Sequence, residues 1–164
     1  MPKSFIKIKP ITANSEKHNT RKIEPKYLIT PSAENISFGD MTITEKRTQL
    51  EKIAKEKTGR KMQKKATPIR EAVILLPDDN NELNVQALGN LSDELEKRYN
   101  IKTFQVHIHN DEGYINEKGE AKYNYHAHLV FDWMDHETGK SLKLGKDQMS
   151  EIQTLTAEAL SMER

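Results

Sequence analysis

The sequence predicts an α+β fold, in which a central antiparallel sheet carries helices on one face. Strand-like and helix-like segments are mixed along the chain without the strict alternation that is typical of a parallel sheet. Two strand-like segments, 103–109 and 125–133, are joined by a single polar connection, which indicates an antiparallel pair. A length of 164 residues is enough for one domain with its own core, so we expect residues 1–164 to form a single domain.

The first forty residues contain two short predicted strands. Residues 4–9 alternate in polarity and predict a strand, which Pro10 ends because proline cannot donate a hydrogen bond to a neighbouring strand. Residues 12–26 are polar and aperiodic, which indicates a loop with one helical turn at most. Residues 35–38 predict the second short strand.

A capping-box spacing of Thr42 and Glu45 predicts the start of the first long helix, and Gly59 can end it. Its apolar stripe consists of Ile43, Leu50, Ile53 and Ala54. A basic segment follows, either as a helix or as a mobile arm, and Pro68 breaks it.

The second half of the chain begins with its most apolar run, residues 70–76, which predicts an interior strand. An amphipathic helix is predicted to follow and to end at Tyr99, because apolar residues recur at steps of three and four from Val85 onward. The strands 103–109 and 125–133 come next, and a last helix is predicted from about Lys146.

Four of the six histidines fall on one face of the strand pair. Phe104, Val106 and Ile108 alternate with polar residues, and so do the apolar residues from Tyr125 to Trp133. Because successive side chains of a strand point to opposite faces, the face opposite this apolar one carries His107, His109, His126 and His128. Neutral imidazoles that converge with a carboxylate are suitable ligands for a borderline divalent metal.

Charge and composition narrow the function further. Residues 45–70 carry a net charge of +7, whereas residues 71–164 carry −9, so the first half of the chain is the one suited to a polyanion. The absence of cysteine excludes disulfides, thiolate metal sites and cysteine nucleophiles. No apolar run approaches the roughly 20 residues of a membrane span. A catalytic metal beside a basic segment indicates phosphoryl chemistry.

Two motifs resemble those of the MobV-type (Pre/Mob) plasmid mobilisation relaxases, which belong to the HUH endonuclease class. His109-Asn110-Asp111-Glu112 with His126-Ala127-His128 resembles the family motif H-x-D-E…H-x-H, and the segment 17–21 (KHNTR) resembles H-N-x-R. The resemblance implies an HUH fold and a Mn²⁺- or Mg²⁺-dependent nick at an origin of transfer. It also implies a covalent adduct on the 5′-phosphate, and a catalytic domain at the N-terminal end of a longer protein.

Roles follow from the same resemblance. His109, His126 and His128 would hold the metal, His18 would be the nucleophile, Arg21 would bind the scissile phosphate, and Glu112 would be a ligand, a supporting group or a base. Residues expected to contact DNA are Lys17, Asn19, Arg60, Lys61, Lys64, Lys65 and Arg70.

Some alternatives remain open at the level of sequence. The family has only a few residues between D-E and H-x-H, whereas thirteen separate Glu112 from His126 here, so His107 competes with His109 as a ligand. Tyr27 competes with His18 as the nucleophile, because other relaxases use tyrosine. The expected partners are origin DNA, with its nick site and adjacent hairpin, and accessory transfer proteins, in the bacterial cytoplasm. The alternative functions are an HUH replication initiator or transposase, or a non-enzymatic DNA-binding module.

Overall fold

A computed structural model describes residues 2–22, 28 and 35–164, and Tyr27 lies outside the described residues. The chain forms four helices and nine strands within these ranges. The helices are α1 (Ser15–Asn19), α2 (Ile43–Thr58), α3 (Asn81–Tyr99) and α4 (Lys146–Ala159). The strands are β1 (Ile6–Pro10), β2 (Ile36–Gly39), β3 (Ile69–Leu75), β4 (Lys102–His109), β5 (Gly113–Ile115), β6 (Ala121–Tyr123), β7 (His126–Asp132), β8 (Met134–Asp135) and β9 (Lys140–Ser141).

Five of these strands build one antiparallel sheet in the order β1-β3-β7-β4-β2. The apolar strand β3 is interior, as its sequence predicts, and β7 occupies the centre between β3 and β4. The prediction of an α+β fold with a central antiparallel sheet is confirmed. None of the helices in the described ranges is long and apolar enough to cross a membrane.

The sheet buries a large core on one face and a smaller one on the other. Helices α3 and α4 cover the first face, where Leu91 and Ile152 pack against Leu129 of β7. Helix α2 packs on the opposite face, where Leu50 meets Val130. The expectation of helices on one face therefore holds for α3 and α4, whereas α2 shares its face with the histidines.

Local sequence signals set the ends of the long helices. Thr42 and Glu45 form the predicted capping box at the start of α2, and Gly59 ends it in the left-handed conformation with φ of 72°. In α3, the side chain of Asn80 accepts a hydrogen bond from the backbone of Leu83, and Asn100 provides a left-handed end. These predicted helices are confirmed, as is the single turn of α1.

Three local expectations are corrected by the structure. Phe104 belongs to the smaller core beside Leu50, because an irregularity in register between Thr103 and Gln105 turns the start of β4 over. The basic segment 60–65 is neither helix nor free arm, since the guanidinium of Arg47 donates to the carbonyls of Gln63, Lys64 and Ala66. The long connection after β4 contains a hairpin of its own, formed by β5 and β6.

Candidate active site

The register of β4 and β7 places the four strand histidines side by side. His107 lies opposite His128, and His109 lies opposite His126, all on the face that α3 and α4 leave uncovered. The rings of His109, His126 and His128 have centroids 4.9 to 5.1 Å apart. All four side chains are buried. The alternation of the sequence therefore gives the correct face, and the antiparallel register produces the cluster.

Helix α1 brings His18 to this cluster from the other end of the chain. The backbone N–H of Thr12 donates to Ser15 Oγ at 2.8 Å, which fixes the start of the turn. The ring of His18 then lies 5.9 Å from the ring of His109 and 6.0 Å from that of His128. His18 is half-buried, so one side of its imidazole remains open to a ligand.

Two backbone carbonyls orient the imidazoles of His109 and His126. His109 Nε2 donates to the carbonyl of Asn19 at 2.8 Å, and His126 Nδ1 donates to the carbonyl of Asn124 at 2.9 Å. Carbonyl oxygens only accept, so these two nitrogens carry the protons of the neutral rings. The remaining nitrogens, His109 Nδ1 and His126 Nε2, face each other at 3.3 Å with their lone pairs. Two converging lone pairs are a suitable arrangement for a cation. The hydrogen bond from the other nitrogen of each ring to a backbone carbonyl fixes the tautomer that presents these lone pairs.

His128 contributes a further free imidazole. Both of its ring nitrogens are buried, and neither has a hydrogen-bond partner among the described residues. Burial, followed by the neighbouring histidines, lowers the pKa of His128 far below its ordinary value. Burial likewise lowers the pKa of His109 to about 3. His109 and His128 are therefore neutral near pH 7, which is the form that binds metal.

Two overlapping groups could hold a divalent ion. One consists of His109, Glu112 and His126, and the other of His18, His109 and His128, each with ligand atoms within 4.8 Å of one another. His109 belongs to both groups. The residues present thus fit a metal with nitrogen and carboxylate ligands, and they leave room for a further ligand.

His107, the competing ligand, is engaged elsewhere. Its Nδ1 lies 2.8 Å from Ser37 Oγ, and its Nε2 lies 3.0 Å from Gln105 Oε1. Burial lowers its pKa to about 4. With both nitrogens hydrogen-bonded, His107 supports the sheet beside the cluster, and His109 is the better placed ligand.

An ion-pair network holds Glu112 beside the cluster. Arg21 donates through Nε and Nη2 to the two oxygens of Asp111, at 2.9 and 2.6 Å, and through Nη2 to Glu112 Oε1 at 2.6 Å. Burial alone would raise the pKa of Asp111, but the hydrogen bonds from Arg21 and Asn35 outweigh it and lower that pKa. Arg21 has a φ of 63°, a conformation that costs a non-glycine residue about 1–2 kcal/mol. The guanidinium thus anchors two carboxylates, and its Nη1 also donates to the carbonyl of His18 at 3.3 Å.

Glu112 in turn faces three histidines, and one of them is His109, whose Nδ1 lies near Oε1. Its Oε2 lies 3.4 Å from His126 Nε2, and its Oε1 lies 3.9 Å from His18 Nε2. The first distance suits a metal ligand or a group that supports one, whereas the second is longer than a hydrogen bond and leaves Glu112 close to His18 without contact. Burial, followed by the charge of Arg21, lowers the pKa of His18, so its imidazole is neutral at pH 7.

The residues expected to contact DNA separate into three groups. Lys17, Lys64 and Lys65 are exposed, and Arg60 and Lys61 line a cleft of about 830 Å³ together with Lys57 and Lys140. Asn19 is buried. Its Nδ2 donates to Glu71 Oε2 at 3.3 Å, and its carbonyl accepts from His109. Arg70 stacks over Trp133 at 4.9 Å, on the sheet face opposite the histidines. Asn19 and Arg70 are therefore not placed to bind DNA at the cluster.

Sequence reasoning missed two residues that support the site. Glu71 is buried beside Asn19, and its position in the otherwise apolar run 70–76 was a usable signal, since alternation places it on the histidine face. Asn35 donates to Asp111 Oδ2 at 2.8 Å, and Asp111 itself is fully buried. Nothing in the sequence distinguishes Asn35 from other loop asparagines.

Comparison with known proteins gives a match at the level of structure. No protein-family model and no curated protein sequence matches the chain. Solved structures of the MobM relaxase domain (MOBV; Mob_Pre), Mn-bound and bound to plasmid pMV158 oriT DNA, do match. The complex with 22 nucleotides and a 3′-thiophosphate superposes with a TM-score of 0.71 and 18% identity, covering 99% of this chain and 89% of that one. The complex with 23 nucleotides superposes with a TM-score of 0.69 and 18% identity, covering 98% of this chain and 88% of that one. The chain therefore has the fold of a MOBV relaxase domain along nearly its whole length.

Proposed function

We propose that this chain is a DNA relaxase that nicks one strand of DNA at an origin of transfer and remains covalently attached to the 5′-phosphate. One observation carries the proposal: a half-exposed imidazole, His18, lies beside a buried cluster of three imidazoles on a sheet that has the relaxase fold. The neighbouring structures hold Mn and oriT DNA, which supports the same class of ligand and substrate here.

His109, His126 and His128 would hold the divalent metal, with Glu112 at its side. Bound there, the ion would act as a Lewis acid that makes the scissile phosphorus more electrophilic. Imidazole suits Mn²⁺ better than Mg²⁺, which prefers oxygen ligands and keeps several waters. We therefore expect Mn²⁺ to be the better cofactor of the two.

His18 would serve as the nucleophile. A lone pair of its neutral ring attacks phosphorus, a P–N bond forms, and the P–O3′ bond breaks, so that the 3′ oxygen leaves with the electron pair and takes a proton from water. The remaining ring N–H becomes acidic and can pass its proton to Glu112, once the present 3.9 Å separation shortens in the complex. Arg21 keeps Glu112 in position for this transfer.

The basic residues would hold the substrate strand. Lys17 is exposed and adjacent to His18, and Arg60 and Lys61 share the cleft with Lys57 and Lys140. Among the described residues, no acidic side chain lines this cleft. Such contacts go to phosphates, so they position DNA without reading its sequence. A substrate of this kind would place the protein in the bacterial cytoplasm.

The test uses single-stranded oligonucleotides that tile the DNA next to the gene, incubated with the protein and Mn²⁺. We expect a denaturation-resistant protein–DNA adduct, and mass mapping should locate it on His18. His18→Ala should abolish the adduct, whereas Tyr27→Phe should retain it. His136→Ala is a matched control, because His136 bonds to Asp132 away from the cluster.

An adduct on Tyr27, or nicking by the His18→Ala variant at the wild-type rate, would exclude the nucleophile that we propose. The preferred DNA decides between related functions. Nicking at an origin of transfer supports a relaxase, nicking at a replication origin or a transposon end supports an initiator or a transposase, and binding without nicking supports a DNA-binding module.

A further inference from the structure

We propose that the hairpin formed by β5 and β6 holds the single-stranded part of the DNA substrate by base stacking on Tyr114 and Tyr123. The inference rests on the proposed function, because it names how the DNA is held next to the nicking site. It concerns residues 113–123, to which neither the motifs nor the histidine cluster assigns a role.

The base of the hairpin is fixed to the candidate active site. Gly113 directly follows Glu112, and the backbone N–H of Asn124 donates to the carbonyl of Glu112 at 2.9 Å. On the other side, Tyr125 leads directly into His126. The hairpin is therefore attached at both of its ends to residues of the candidate active site.

The hairpin concentrates exposed apolar side chains. Six large apolar side chains are exposed in the described part of the chain, and half of them lie here: Tyr114 at 64%, Ile115 at 58% and Tyr123 at 40%. Two paired strands of three residues are marginally stable in water by themselves. The register places Tyr114 on one face of the hairpin and Ile115 and Tyr123 on the other. A DNA strand that wraps around the hairpin would bury apolar area on both faces and would order the two strands.

The geometry of the rings suits bases. The rings of Tyr123 and Tyr125 are stacked, with centroids 5.5 Å apart and planes within 4° of parallel, and the half-buried Tyr125 ring packs against the main core. Tyr114 lies directly across from Lys122, so that an aromatic ring and a cation share one face of the hairpin. Nucleic-acid bases stack on such rings without regard to sequence, and a neighbouring lysine can meet a phosphate.

Charge indicates that stacking, and not phosphate binding, would dominate. The charged residues of the hairpin are Glu117, Lys118, Glu120 and Lys122, which sum to zero. The one ion pair among them, between Lys122 and Glu120 at 3.3 Å, is exposed and therefore weak. A neutral hairpin with exposed rings favours the bases of an unpaired strand over the backbone of a duplex.

The experiment measures equilibrium binding of fluorescent single-stranded oligonucleotides without metal, so that binding is separated from nicking. We expect Tyr114→Ala and Tyr123→Ala each to weaken binding by about 5- to 150-fold, the range for the loss of one stacked base. Tyr114→Phe and Tyr123→Phe keep the ring and should bind as the wild type does. Phe38→Ala is the matched control, since Phe38 is a 48% exposed aromatic residue on edge strand β2, opposite Val106.

An abasic oligonucleotide of the same length distinguishes bases from phosphates. The wild type and the two alanine variants should bind it equally, because no base is left to stack. If the alanine variants bind the normal oligonucleotide as tightly as the wild type while nicking by the wild type persists, the inference is wrong and the proposed function stands. If the wild type binds no single-stranded DNA, both are wrong. A fall in the oligomeric state of the alanine variants with unchanged DNA binding would instead assign the hairpin to a second copy of the chain.

Discussion

Replacing His128 with leucine should make the metal-free protein more stable while it removes metal binding. His128 is 6% exposed, and its two ring nitrogens have no hydrogen-bond partner among the described residues. A buried polar group without a partner costs about 1–3 kcal/mol, and leucine would fill a similar volume without that cost. We therefore expect the free energy of unfolding of His128→Leu to rise by about 1–3 kcal/mol in EDTA at pH 7.5.

The assay is thermal and urea unfolding, in EDTA and across a Mn²⁺ titration. For a chain of this length, 1 kcal/mol corresponds to roughly 2–4 °C, so the midpoint in EDTA should rise by about 2–12 °C. Mn²⁺ at a hundred times its dissociation constant should stabilise the wild type by about 2.7 kcal/mol and leave His128→Leu unchanged.

The matched control is His107→Leu, at the position directly across the strand pair. His107 bonds to Ser37 and Gln105, so this substitution should destabilise the protein by about 1–3 kcal/mol and preserve the response to Mn²⁺. The two substitutions, at neighbouring buried histidines, are therefore expected to change the free energy of unfolding in opposite directions. A His128→Leu protein that is less stable than the wild type in EDTA, or that Mn²⁺ stabilises fully, would refute the reasoning.

Three further predictions follow from the ion pairs, the buried histidine and the basic cleft. Arg21→Gln leaves the fully buried Asp111 without a counter-charge and should cost about 3–5 kcal/mol, and adding Asp111→Asn should recover part of that loss in urea unfolding. The pKa of His107 is about 4 in the folded protein, so the unfolded chain binds more protons between pH 4 and 6.5 and stability falls as the pH falls. The free energy of unfolding of His107→Gln should therefore fall by about 2–3 kcal/mol less than that of the wild type as the pH falls from 7 to 4.5. An equal fall would contradict the low pKa of His107 in the folded protein. Lys61→Ala should lower the slope of log affinity for single-stranded DNA against log salt by about 0.7, whereas Lys97→Ala on α3 should leave it unchanged.

Patterns with a short period along the chain determined the faces of the strands and the ends of the first long helix. Alternation at every second residue is imposed by the pleat of a strand, so the sequence was sufficient to place four histidines on one face. Capping at Thr42 and Gly59 involves groups only a few residues apart, and the predicted helix is confirmed at both ends. The motifs likewise led to the relaxase fold, although the identity to the matching structures is only 18%.

The tertiary structure alone decided which histidine nitrogens have no protein hydrogen bond and what surrounds them. His109 is selected over His107 by the carbonyl of Asn19, a contact across ninety residues, and Arg21 is directed to Asp111 across the same distance in the chain. The hairpin at residues 113–123 and the packing of α2 on the histidine face also have no local signature. Such contacts depend on how distant segments close on one another, and no periodicity in a single sequence encodes that closure. Covalent geometry thus set the faces of the strands, and packing set the partners of each side chain.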